Sequence, residues 1–131
     1  MKLAIIGSRG FSDYHFLESE ILKNFQVIDI EQVISGGAKG ADSEGEKFAK
    51  KFNIPIKIFL PAWTDFSVTD KVIRKNSRGH YYNVLAGINR NKDIVKASDV
   101  VMVFWDGKSK GSLNSINLAK EYKKRLIIIN F

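Results

Sequence analysis

Lys2-Leu3-Ala4-Ile5-Ile6-Gly7-Ser8-Arg9-Gly10 opens the chain with an unbroken apolar run ending in a glycine-bearing polar turn. Behind the turn, Phe16, Leu17, Ile21, Leu22 and Phe25 recur at the spacing of one helical face. This is strand, turn, helix, and the same unit returns along the chain. Residues 27–34 contain a second strand, Ser35-Gly36-Gly37-Ala38-Lys39-Gly40-Ala41-Asp42 a second turn, and residues 42–52 a helix with Ala41, Phe48, Ala49 and Phe52 inward. Residues 54–60 form a third strand ended by Pro61. Residues 99–105 are almost wholly apolar, as a strand covered on both faces requires, and residues 112–123 and 126–130 supply a last helix and strand.

Between these elements, residues 61–79 lack a period and read as a long loop with at most a short helix, of a length often used for lids. Helical signal resumes over residues 81–86, breaks at Gly87 and returns over residues 89–97. Strands alternating with helices across short turns imply an α/β fold, a Rossmann-like three-layer sandwich with about five parallel strands in the order 3-2-1-4-5. Ligands in such sheets bind beyond the carboxyl ends of the strands, at the topological switch point. All four polar turns fall on that edge: those at Gly7 and Gly36, Gly87-Ile88-Asn89-Arg90-Asn91, and Asp106-Gly107-Lys108-Ser109-Lys110-Gly111-Ser112.

With 131 residues the chain is expected to be one domain. It contains no cysteine, which excludes disulfides, thiol nucleophiles and thiolate metal sites. No apolar run approaches the roughly 18 residues a membrane span needs, so a soluble, cytoplasmic protein without a membrane partner is expected. A formal charge of +7 favours anionic partners without choosing among them. His15 and His80 stand isolated, and no spacing suggests a metal site or an identifiable cofactor.

Glycine-rich turns feeding helices suit phosphate, because bare backbone approaches closely and free N–H groups point at an anion. The expected ligand-binding residues are Gly7, Ser8 and Arg9 in the first turn, and Ser35, Gly36, Gly37, Lys39, Gly40 and Asp42 in the second. Arg90 and Asn91 follow in the third, and Trp105, Gly107, Lys108, Gly111 and Ser112 in the last. Arg9 either grips phosphate bidentately or forms a surface ion pair. Asp42 either caps its helix or takes a ribose hydroxyl. Trp63 and Trp105 are the aromatic residues placed to line a ligand, against the common fate of such residues as core. Neither a full Gly-x-Gly-x-x-Gly nor a P-loop motif occurs.

These four turns, in this order, resemble those of the YspA-like branch of the SLOG superfamily, the Rossmann-like group that contains the LOG and DprA proteins. That resemblance implies nucleotide-derived ligands, ADP-ribose derivatives among them, or single-stranded DNA. It also implies homo-oligomers paired through helices flanking the site. LOG phosphoribohydrolases carry a glutamate after the fourth strand's glycine turn; aligned on Gly111 and Ser112, that position here is Ser115.

Three functions follow in order of expectation. First is a sensor or sequestering protein for a nucleotide-like small molecule, of the ADP-ribose, NAD-derivative or nucleoside phosphate class. Second is a hydrolase of a nucleotide N-glycosidic or phosphate bond, with Asp42, Glu46 or Asp106 as acid or base. Third is a single-stranded nucleic-acid binder, ranked last because no aromatic–basic interleaving marks a strand-tracking groove.

Overall fold

The computed structural model describes residues 1–61, 73–75, 81–83 and 86–131. Strand β1 (Lys2–Gly7) leads through helix α1 (Tyr14–Asn24) and a short 3-10 turn (Val27–Asp29) to β2 (Gln32–Ser35). Helix α2 (Ala41–Lys51) and β3 (Ile56–Ile58) follow, then β4 (Ile73–Lys75) and β5 (Tyr81–Asn83). Helix α3 (Ala86–Ala97), β6 (Val100–Trp105), α4 (Lys110–Glu121) and β7 (Arg125–Asn130) complete the order.

Five strands pair in parallel in the order β3-β2-β1-β6-β7, which is the expected 3-2-1-4-5 arrangement of an α/β Rossmann-like sheet. Alternation along each strand divides the core in two. Leu3, Ile5, Val33, Met102 and Phe104 face α1 and α2, where Leu17, Ile21, Phe48 and Ala49 are fully buried. Ala4, Ile6, Ile34, Val101 and Val103 face α3 and α4, meeting Ile94, Val95, Ile116 and Ala119. β1 and β6 therefore read as continuous apolar runs because helices cover both their faces. Leu22, expected on the apolar face of α1, is instead 44% exposed.

Register brings the strand ends level. Gly7 pairs with Phe104, Ser35 with Ile58, and Trp105 with Asn130, so the turns after β1, β2 and β6 leave from one edge. β1 lies between β2 and β6, where the chain reverses its direction of build, and this is the switch point.

Tyr81–Asn83, expected within a helix over residues 81–86, is instead a strand pairing antiparallel with Ile73–Lys75, with Lys75 opposite Tyr81. Pairing partners supplied from outside the local window decide such a segment, and tyrosine is at home in strands. Helix α3 then begins at Ala86 and runs through Gly87 rather than breaking there. Within the expected loop at 61–79, Ile73–Lys75 is a strand rather than loop or short helix; the other residues after Pro61, with the expected lid and Trp63, lie outside the described residues.

Candidate functional site

Ser8, in the turn after β1, is buried and joins three loops. Its N–H donates to the Phe104 carbonyl (2.8 Å), and its own carbonyl accepts from Phe11 and Ala41, each at 3.2 Å. Its hydroxyl oxygen accepts the Asp106 N–H at 3.1 Å. Ser8, expected to offer its hydroxyl to a ligand, is thus a strut between the turns. Arg9, next to it, is exposed.

The turn after β2 departs further from expectation. The N–H groups of Gly36 and Ala38 donate to Oδ2 of Asp42 at 3.1 and 3.3 Å. Gly37 N–H donates to the Ser35 hydroxyl oxygen (3.1 Å), while that hydroxyl donates to Glu46 Oε2 (2.7 Å). Three successive amides expected to hold a ligand phosphate are satisfied from within the chain. A Cβ on Gly36 would stand 2.6 Å from Asp42 Oδ2 and 2.7 Å from Arg90 Nη1, so a side chain there would displace both groups from their present places. Asp42 does not cap α2; the cap position is Gly40, with φ of 82°, lying against the Ser8 carbonyl where a side chain would collide.

Burial pushes the Asp42 carboxyl above its usual range, opposed by the Ala38 amide and the charge of Arg90. Burial likewise lowers Arg90, and Asp42 counteracts it. Arg90 Nη1 donates to the Gly36 carbonyl (2.6 Å) and Nε to Asn91 Oδ1 (3.1 Å). The Asn91 amide donates to Asn114 Oδ1 at 2.9 Å, tying α3 to α4.

In the turn after β6, Asp106 Oδ1 accepts from the amides of Lys108 and Ser109, both at 2.8 Å, and these bonds hold its carboxyl below the usual range. Ser109 caps α4 through the Ser112 N–H. The amides of Lys110 and Gly111 have no partner among the described residues, as the first turn of a helix leaves them. Trp105 donates its indole N–H to the Ser109 carbonyl at 3.0 Å and packs against the α3–α4 core.

A cavity of about 360 Å³ opens between these turns, within the size range of small-molecule sites. Of the expected residues, Gly7, Arg9, Asp42, Arg90 and Asn91 line it, as do Asp106, Gly111 and Ser112. Ser8, Ser35, Gly36, Gly37 and Gly40 form the frame behind, and Lys39, Trp105, Gly107 and Lys108 lie off the lining. Glu46 is also off it, held by Ser35. Ala38, Ser109 and Ser115 line the cavity without having been expected, and Ile6 and Ile94 give it an apolar floor. The signal for Ser115 was its alignment with the LOG glutamate; it is buried and faces the cavity.

The lining offers two guanidiniums, the hydroxyls of Ser109, Ser112 and Ser115, and two carboxylates each with one oxygen engaged by backbone. Guanidiniums and hydroxyls are donors to an anion, and carboxylates accept from hydroxyls. No group of three His, Asp or Glu residues able to hold a metal occurs among the described residues, and none of their helices is long and apolar enough to cross a membrane.

No protein-family model matches the sequence, and no curated protein does. The fold is similar to solved structures of DNA processing protein A. That from Streptococcus pneumoniae gives a TM-score of 0.70 at 21% identity, over 99% of this chain and 50% of the other. That from Helicobacter pylori, described for its single-stranded DNA binding mode, gives 0.65 at 23% identity over 98% of this chain and 64% of the other. The chain therefore spans about half of the first and under two thirds of the second. The likeness establishes the Rossmann-like fold these proteins share.

Proposed function

We propose that the cavity binds a nucleotide or nucleotide-derived small molecule by its phosphate, and that the protein acts as a sensor or sequestering domain of the SLOG type, nearest the YspA-like branch. One observation carries this reading: Arg9, Arg90 and the N-terminal turn of α4, with Gly111 and Ser112, converge on a single cavity at the switch point. Arg90 supplies a fixed charge because Gly36 and Asn91 orient it. The serine hydroxyls are placed for ribose or for further phosphate oxygens.

Binding is favoured over turnover by how the carboxylates are used. Asp42 and Asp106 each spend an oxygen on two backbone amides, which makes them parts of the frame. Titration calorimetry against ADP-ribose, NAD, cyclic nucleotides and nucleoside monophosphates tests the reading. Heat of binding with at least one, weakened in Arg90→Ala, is expected; silence across the panel contradicts it.

A second reading is single-stranded nucleic acid, and the likeness to a DNA processing protein studied for single-stranded DNA binding favours it. The charge of +7 adds a sequence-independent attraction. Fluorescence polarisation with a labelled oligonucleotide over a salt series separates the two. A strand-binding protein loses affinity steeply with salt and gains it with strand length, whereas a nucleotide binder is indifferent to length.

A further inference from the structure

A second hollow, of about 350 Å³, adjoins the polar cavity, and Gly10 belongs to the walls of both. Its character is different: Phe11, Phe16 and Phe131 line it, with Ser12 and Asp13 at the rim. Phe11 is buried and packs against Phe104 with ring centroids 5.0 Å apart and planes tilted by 43°, which fixes the floor. Phe131 and Phe11 form a T-shaped pair, with centroids 4.9 Å apart and planes at 78°, and Phe131 remains 49% exposed. This half-exposed ring offers aromatic surface to the hollow.

We propose that this hollow seats the nucleobase of the nucleotide whose phosphate enters the neighbouring cavity, with the base stacked against Phe131. The inference rests on the phosphate-binding reading above and extends it to the base. A nucleotide joins an anionic part to a flat apolar one through a sugar, and the surface presents a polar cavity and an aromatic hollow meeting at a residue without a side chain. Aromatic stacking accepts any base, so affinity is gained here without strict base identity.

Calorimetry with adenosine monophosphate and ribose 5-phosphate, which lacks the base, tests the assignment. The wild-type protein should bind the former about 5- to 100-fold tighter, the range that stacking on one aromatic side chain gives. Phe131→Leu, which keeps apolar bulk, should erase that preference while leaving ribose 5-phosphate affinity within about twofold; Phe131→Tyr should keep the preference. Equal affinities in the wild type, or a preference that survives Phe131→Leu, overturn the base subsite and leave phosphate binding standing. A wild-type protein that binds neither compound, nor an adenine strand, overturns both readings. If a deoxyadenylate 10-mer binds more tightly than its abasic counterpart and Phe131→Leu removes that difference, while free adenosine monophosphate does not bind, the base belongs to a strand.

Discussion

The turns after β2 and β6 look alike in sequence, since both are glycine-bearing, carry lysine and lead into a helix, yet they use their backbones differently. In the first, the amides of Gly36, Gly37 and Ala38 all donate inward, two to Asp42 and one to Ser35. In the second, Asp106 takes the amides of Lys108 and Ser109, but those of Lys110 and Gly111 remain without a partner among the described residues, and Gly111 lines the cavity. A glycine turn before a helix is therefore an anion site only to the extent that its own carboxylates leave it free. Here the first turn is a frame that carries Asp42 and positions Arg90, and the second keeps its helix-start amides unengaged beside the cavity.

The largest effect that sharpens this contrast is Asp42→Ala. It strips the buried amide of Gly36 and the half-buried amide of Ala38 of their acceptor and leaves Arg90 without its neighbouring charge. A loss of about 1–3 kcal/mol in urea unfolding is expected from the buried Gly36 donor left unsatisfied. A change near zero would mean that water or ligand replaces the carboxylate easily, and the turn would then count as an open cradle.

Arg90→Ala comes next. Loss of a charge-assisted contact should weaken nucleotide binding about 10- to 100-fold, read by calorimetry, while lysine substitution should recover only part because the oriented fork is lost. Gly111→Ala, on the turn predicted to face the ligand, has open space for a Cβ. It should leave stability close to wild type and lower affinity more modestly than Arg90→Ala, by crowding the approach to the α4 amides; unchanged affinity would place the ligand elsewhere in the cavity.

The smallest effect is in acid. The Asp106 carboxyl is depressed by the amides of Lys108 and Ser109, so its contribution to stability is present above the ordinary carboxylate pKa and is lost as pH falls through the folded value. Asp42 is raised by burial, so its term has the opposite sign: it is present below the ordinary value and lost as pH rises through the folded one. Asp106→Asn should therefore flatten the decline in stability below about pH 4, and Asp42→Asn should remove a rise. Identical pH profiles for the two variants would dissolve the distinction between the turns.

The sheet order was legible because β1 and β6 are apolar throughout, and the helices between them carry their period. Tyr81–Asn83 was not, since its strand exists only by pairing with Ile73–Lys75, and three residues give too short a window for a period. At the site, composition located Arg9, Arg90, Gly111 and Ser112 on the cavity, because glycine turns at strand ends place them there. It could not show that Asp42 folds back onto Gly36 and Ala38, nor that Ser8 is buried under Asp106, because hydrogen bonds between separate loops leave no local pattern. Phe131 was read past for the same reason: its hollow is made with Phe11 and Phe16, over a hundred positions away in the chain.

If the cavity at the carboxyl edge of β1 and β6 receives a nucleotide phosphate, amide NMR of the protein titrated with adenosine monophosphate will register it residue by residue. Chemical-shift changes should concentrate at Gly10, Lys110, Gly111 and Ser112, with the side chain of Arg90 shifting alongside and the amides of Gly36 and Ala38 moving less. Saturating nucleotide that leaves those amides unmoved, or moves only the exposed lysines of the helix ends, would mean that the cavity does not receive the phosphate.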